Sequence, residues 1–393
     1  MSFYERAKTL MDETVSHRRF FHKNAETGLD MPMAREYVTK KLAEYGYSPK
    51  ECGRGITATA GSGSPVILLR ADMDALPMKE ESGEEFSCEN GNMHACGHDF
   101  HAAMLLTAAK MLKECESELK GTVKFMFQPA EETFEGARNM ISSGILEDPK
   151  VDVAVAFHIT SGQMPTGLYA YNSGGVMMNS VDGFRIEVKG KGAHGAYPSE
   201  SIDPIMIACH IHQSLQSLIA RESEASKSCV LTIGSFHAGS AANIIPETAV
   251  MEGTLRTNDV KEREKLKRRL YEVTQAVAAA FGGEASITEL SAVPPLISDK
   301  TLADKIAGYV GEVEGMNIRI DNVSASASED FALISEKVPG VLMYLSAGFT
   351  DGRTVYPAHN PKVVFNEEAL LTGSAVYVHV AKRWLEENIQ DQV

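Results

Sequence analysis

Three apolar runs in the first half of the chain each stop at residues able to do chemistry. "PVILLRADMDAL" (65–76) turns polar at Asp72 and Asp74. "GTVKFMFQPAEE" (121–132) ends on Glu131 and Glu132, and "VDVAVAFHI" (151–159) ends at His158. Between them lie stretches of helical character: 100–116, with apolar residues three and four apart, and 135–146, closed near Gly144. Asp99 stands just before the first and suits an N-cap. Residues 2–23 and 31–46 read as amphipathic helices. Strands alternating with helices predict an α/β fold, a mostly parallel sheet covered by helices. In such sheets ligand sites form at the carboxyl ends of the strands, where these acids and the histidine fall.

The pattern changes from about residue 183. Strand (184–189), helix (203–221), strand (228–237), strand (246–256), helix (260–281) and strand (284–290) follow in turn. This β-α-β-β-α-β order is ferredoxin-like. After a linker at 290–298, the earlier style resumes with an apolar strand at 340–348 and a terminal helix at 366–388. A chain of 393 residues is expected to form more than one core. The expected division is a discontinuous catalytic domain, residues 1–182 and 291–393, carrying an inserted α+β domain, 183–290.

The formal net charge of −15 disfavours phosphate backbones, so no nucleic-acid partner is expected. The basic-looking stretch 261–270, "KEREKLKRRL", is mixed in sign and reads as a solvated helix face. No run has the ~18 apolar residues of a membrane span, and the first residues lack a signal-type apolar core. Six cysteines without framework spacing suggest free thiols and a cytoplasmic setting.

Metal-binding side chains are concentrated in "MHACGHDFHAAM" (93–104). Divalent transition metals take imidazole, thiolate and carboxylate ligands. Four segments offer them: Cys96 with His98, Glu131 with Glu132, His158, and His359 in "YPAHNP". Gly97 permits a tight approach between Cys96 and His98. A solvated helix start is the alternative for the two glutamates, although adjacent acids closing an apolar strand are less easily dismissed in that way. Metal-assisted hydrolysis needs both: one carboxylate on the metal, and one left free to take a proton from water and return it to a leaving nitrogen.

The ordered set "RADMDALPM", "HACGHD", "QPAEE", "AFHI", "GKGAHG", "NIIPETAVMEGTLRT", "SEDF" and "PAHNPKVVFNEEAL" resembles the di-metal aminoacylase/carboxypeptidase superfamily of metallopeptidases. It is most similar to the amidohydrolase branch of hippurate hydrolase, indoleacetyl-amino-acid hydrolases and N-acetyldiaminopimelate deacetylase. The resemblance runs from about residue 10 to 385. It implies two divalent ions (Zn, Mn, Co or Ni) held by Cys96, His98, Glu132, His158 and His359, with the thiolate able to bridge them. It implies Glu131 as general base and Asp74 as an acid that orients the ligands. The inserted domain would serve as lid and homodimer interface. His194 would reach the partner's site to stabilise the oxyanion, while Asn243 and Arg256 would bind the substrate carboxylate or carbonyl. Residues 192–198 here read "GAHGAYP", where the branch more often has "GGHAAMP". Asp72, Asp99, Glu329 and Asp330 receive no individual role; His101 is expected to support rather than ligate, and His94 to be a loop residue.

The activity implied is hydrolysis of the amide bond of a small N-acyl amino acid. An exopeptidase or dipeptidase of the same superfamily is the alternative enzyme, and a non-catalytic metal-binding protein the alternative outside catalysis. A thiol redox role for Cys96 is disfavoured by the absence of a C-x-x-C pair.

Overall fold

A computed structural model describes residues 1–389. The chain divides into two compact units. The first comprises Met1–Met177, Ile297–Ser324 and the chain from Glu329 onward. Its sheet runs, in spatial order, Lys50–Cys52, Gly55–Gly61, Thr122–Gln128, Val66–Asp72, Val153–Thr160, Gly340–Ser346, Leu168–Ala170 and Ile318–Ile320. Thr122–Gln128, Val66–Asp72, Val153–Thr160 and Gly340–Ser346 are mutually parallel. Gly55–Gly61 and Leu168–Ala170 pair antiparallel on either side of them. Every residue of Val66–Asp72 and Thr122–Gln128 is buried, which explains why these strands read as mainly apolar runs without polar alternation.

The helix His98–Glu114 packs against Met11–Lys23 and Ala369–Glu387. Leu105, Leu106, Val155, Met343 and Tyr377 share the core around it. Its apolar residues surround it, as burial on nearly every side requires. Two local expectations change. Asp99 is not a cap: the helix begins at His98, and the fully buried Asp99 carboxylate instead accepts from Arg18 Nε and pairs with His22 Nδ1, both at 2.8 Å. Residues 2–23 form two helices, Phe3–Thr9 and Met11–Lys23, separated at Leu10.

The second unit comprises Met178–Leu296 and Ala325–Ser328. Its sheet order is Cys229–Ala238, Thr248–Thr257, Val181–Lys189, Glu284–Val293, antiparallel throughout. Helices Pro204–Ser217 and Val260–Ala280 complete the β-α-β-β-α-β order, and Ile186, Ile211, Met251 and Leu266 lie in its core. The first of these helices ends at Ser217 in a π-helical turn, Leu218–Glu222, rather than running on to 221. Stretch 261–270 is only partly solvated. Glu262, Arg263, Leu266 and Leu270 are buried, and Arg263 makes a bidentate pair with Asp182 through Nε and Nη2, each at 2.7 Å. The carboxylate on Val181–Lys189 is what makes the buried guanidinium tolerable.

Candidate metal centre

The carboxyl ends of the parallel strands gather the chemistry. Asp72 closes its strand, Glu131 and Glu132 follow Gln128 after a Pro-Ala step, and His158 lies two residues from the end of Val153–Thr160. Opposite them the chain enters the helix His98–Glu114 through Gly97. There φ is +85°, and an added Cβ would lie 2.5 Å from Ile159 Cδ1, so only glycine brings Cys96 and His98 this close. Ala130 and His359 also hold positive φ, at 53° and 63°. Such conformations cost on the order of 1–3 kcal/mol each and concentrate at functional sites.

Cys96, His98 and His158 form one group whose ligand atoms all lie within 4.8 Å of one another; Cys96, Glu132 and His359 form a second. Cys96 belongs to both. Cys96 Sγ is 3.5 Å from His158 Nε2, and His359 Nε2 is 3.3 Å from Glu132 Oε1. His98 Nε2 is 4.0 Å from a carboxylate oxygen of each glutamate. The two acids then diverge. Glu132 turns toward Cys96 and His359, whereas Glu131 also groups with Glu329 and Asp330. Asp74 accepts the Glu132 backbone N–H at 3.0 Å and lies 3.4 Å from His98 Nδ1, touching both the Glu132 main chain and an imidazole of the cluster.

Electrostatics follow from this crowding. Burial, then the negative charges of Glu329, Glu132 and Asp330, push Glu131 well above the ordinary carboxylate range. Burial alone would raise Cys96, but His158 and His98 overcome it and bring the thiol down to about 6. Burial opposes the charge on His98; Asp72 and Cys96 outweigh it and hold the imidazole well above its usual value. The neighbouring Cys96 and Glu132 raise His359 to about 10. The cluster is therefore rich in negative groups that a cation would stabilise.

The residues fit a divalent transition metal. His98 is fully buried, yet neither ring nitrogen makes a hydrogen bond of normal geometry among the described residues, nor does Glu132 Oε1. Buried polar atoms are ordinarily satisfied. Thiol, imidazole and carboxylate converging from four segments are a donor set for zinc-like ions.

A buried arginine, which the sequence showed only as a strand residue, braces the site. Arg70 is 2% exposed. It pairs with Asp72 at 2.6 Å, Glu329 at 2.8 Å and Asp330 at 3.0 Å, while its Nε donates to Gln128 Oε1. Glu329 and Asp330 thus gain a structural account. His101 uses one nitrogen on Asp72 Oδ1 and the other on the Ile159 amide, leaving it no free nitrogen for a ligand role. His94 is a buried loop histidine whose pKa burial drives down to about 3.

His194, Asn243 and Arg256 lie in the second unit. His194 sits on the short strand Ala193–His194, paired with Ile244–Ile245, and is exposed. Its Nδ1 accepts the Ala196 backbone N–H at 3.1 Å, so the proton of the neutral ring is on Nε2. Asn243 is exposed, and its backbone carbonyl accepts from Gly195 at 2.8 Å, which places it beside the His194 loop. Arg256, half-buried on Thr248–Thr257, donates to Ser328 Oγ at 2.9 Å.

A helix-covered, mostly parallel sheet with a thiol–imidazole–carboxylate cluster at its carboxyl ends defines an α/β protein organised around transition-metal donors. The chain belongs to Peptidase family M20/M25/M40, which it matches over residues 68–383. It is 35% identical over 390 residues to N-acetyl-L-cysteine deacetylase of Bacillus subtilis, covering 98% of this chain and 91% of that protein. It is 35% identical over 382 residues to IAA-amino acid hydrolase ILR1-like 4 of Arabidopsis thaliana, covering 95% and 86%. Among solved structures it resembles a Bacillus subtilis protein described as a dinuclear metal-binding peptidase of family M20. That likeness has a TM-score of 0.79 and 30% identity over 96% of this chain and 99% of the other.

Proposed function

We propose that this protein hydrolyses the amide bond of small N-acyl amino acids, with two divalent transition-metal ions held by Cys96, His98, Glu132, His158 and His359. The observation that carries the reading is the thiol of Cys96, common to two donor groups, beside an adjacent glutamate pair whose members diverge. The relatives point the same way, since a deacetylase of N-acetyl-L-cysteine and a hydrolase of IAA-amino acids both act on N-acyl amino acids. Zinc, manganese, cobalt and nickel all suit the donor set. Bound ions of this kind acidify water and polarise a carbonyl.

Glu131 takes the proton of the attacking water and passes it to the leaving amine. Its carboxylate stands outside the group formed by Cys96, Glu132 and His359, free to hold a proton between the two steps. His194 carries its donor on Nε2, the tautomer required to stabilise a developing oxyanion. In this reading it acts on the site of a second copy, the inserted domain of residues 183–290 being lid and homodimer interface. Asn243 and Arg256 receive the carboxylate of the amino acid, for which a guanidinium fork is the fitting partner. Asp74 keeps Glu132 and His98 in register. Free cysteines accord with a cytoplasmic setting. No helix among the described residues is long and apolar enough to cross a membrane.

A second reading is favoured by the 32% identity over 384 residues to thermostable carboxypeptidase 2 of Saccharolobus solfataricus. Metal-loaded protein assayed on N-acetyl-, N-benzoyl- and indoleacetyl-amino acids against unblocked dipeptides separates the two. The amidohydrolase reading expects kcat/KM at least about tenfold higher on the acylated series, a difference of ~1.4 kcal/mol in transition-state binding. A preference for dipeptides would move the protein to the exopeptidases.

A further inference from the structure

The parallel pairing of Val66–Asp72 with Val153–Thr160 runs only as far as Arg70 opposite Ala156. Beyond that point no strand among the described residues pairs with this side of Val153–Thr160, although its chain continues through His158 and Ile159. The imidazole of His101 takes the strand's place. Its Nε2 accepts the Ile159 backbone N–H at 2.9 Å. An accepting Nε2 puts the ring proton on Nδ1, which donates to Asp72 Oδ1 at 2.5 Å. Asp72 is held in turn by Arg70 at 2.6 Å, and all three side chains are buried.

The other backbone group of Ile159 is also engaged. Its carbonyl accepts from His158 Nδ1 at 2.7 Å, and that bond leaves His158 Nε2 facing Cys96 Sγ at 3.5 Å. One residue's backbone therefore joins the His101 imidazole to the His158 imidazole. If the backbone rotated at Ile159, between the two peptide units that carry these groups, the His158 ring would lose the acceptor that sets both its tautomer and its plane.

We propose that His101 is a positioning residue for the metal centre: by accepting the Ile159 amide, under the tension of Asp72 and Arg70, it aims His158 Nε2 at the ion. The proposal rests on the reading of His158 as a metal ligand. Hydrogen bonds that orient ligating histidines typically change metal affinity about 10- to 100-fold when removed. The role resides in one atom, the acceptor at the Nε2 position, and that makes it separable.

His101→Gln can present its side-chain oxygen where Nε2 stood and so keep the acceptor for Ile159. His101→Asn reaches only to the Nδ1 position, keeping the donor to Asp72 and losing the acceptor. Zinc content and zinc affinity by chelator competition, together with the visible spectrum of the cobalt-loaded protein, are read for wild type and both variants. Circular dichroism reports their folding. The expected result is a split: H101N folds but binds zinc about 10- to 100-fold more weakly with an altered cobalt spectrum, while H101Q stays within about threefold of wild type. Wild-type affinity and spectrum in H101N overturn the proposal. So does an equal loss in a folded H101Q, which alone decides the matter should H101N fail to fold. If wild-type protein itself bound no metal, the reading of the site would fail, a result distinct from either of these.

Discussion

Arg18 Nε lies 2.8 Å from Asp99 Oδ2, with the arginine side chain 2% and the aspartate 0% exposed. Asp99 immediately follows His98, so this pair ties the helix Met11–Lys23 to the segment that carries two of the proposed ligands. The guanidinium also stacks 4.5 Å over Phe86 and 4.8 Å over Phe100, and His22 shares the carboxylate. Removing one partner of a buried pair strands the other, at a typical cost of about 3–5 kcal/mol. Arg18→Met should therefore lower the stability of the first unit by roughly 3 kcal/mol. The chain has a single tryptophan, Trp384, which is buried there. Urea unfolding followed by its fluorescence reads that unit, and a loss under about 1 kcal/mol would show the pair to be incidental.

Glu131 and Glu132 are neighbours in sequence with opposite surroundings. The proposed base is pushed up in pKa by burial and by other carboxylates, whereas Glu132 is held down by His359 and His98 against the effect of burial. Glu131→Gln should keep both metals and lower kcat by about 10²–10⁴-fold, the usual contribution of a general base. Glu132→Gln should lose metal. Metal analysis alongside kcat for the two variants checks this; a Glu131→Gln enzyme at wild-type kcat would remove the residue from the mechanism.

Acid sensitivity has a source outside the metal cluster. His17 is 1% exposed and its ring nitrogens meet the hydroxyls of Tyr37 and Tyr45, each at 2.8 Å. Burial lowers its pKa from 6.5 to about 4. The unfolded chain takes up this proton at a higher pH than the folded protein does. Its contribution is therefore complete above pH 6.5 and is lost as pH falls toward 4. The shift corresponds to about 3 kcal/mol. Stability measured at steps between pH 7 and 4 for wild type and His17→Gln should show a steeper fall in the wild type. Parallel curves would mean that His17 stays neutral in both states or charges in both.

Much of the fold and site was legible because the signals were local. Mainly apolar runs ending in acids or a histidine marked the central strands, and Cys96, His98, Glu131, Glu132, His158 and His359 stood out by residue type. Arg70 did not. A basic residue inside an apolar run looks like an interruption until Asp72, Glu329 and Asp330 are seen around it, and two of those lie some 260 positions away. Asp99 looked like a cap because capping is a local rule, whereas its actual partner is 81 residues distant. The sequence places His101 one helical turn after His98, but its partner, the Ile159 amide, is fixed by where one strand stops pairing with another.

The second-copy role of His194 is testable without a structure of the assembly. His194 is exposed and its side chain accepts only from the nearby Ala196 amide among the described hydrogen bonds, so His194→Ala should leave the fold intact while lowering kcat. Loss of one oxyanion donor typically costs about 10²–10³-fold. Glu131→Gln should be comparably impaired, and each variant alone is nearly silent. Mixed after reversible dissociation, half of the resulting dimers would be hetero-dimers. If His194 acts across the interface, each of these has one site with an intact Glu131 from one copy and an intact His194 from the other. Activity should then recover to about a quarter of wild type, as a closed two-fold dimer requires. If His194 acts within its own chain, every site in the mixture still lacks one group and no activity returns. Subunit exchange is checked independently with a size-shifted tag on one variant, so silence in a mixture that has exchanged assigns the histidine to its own chain.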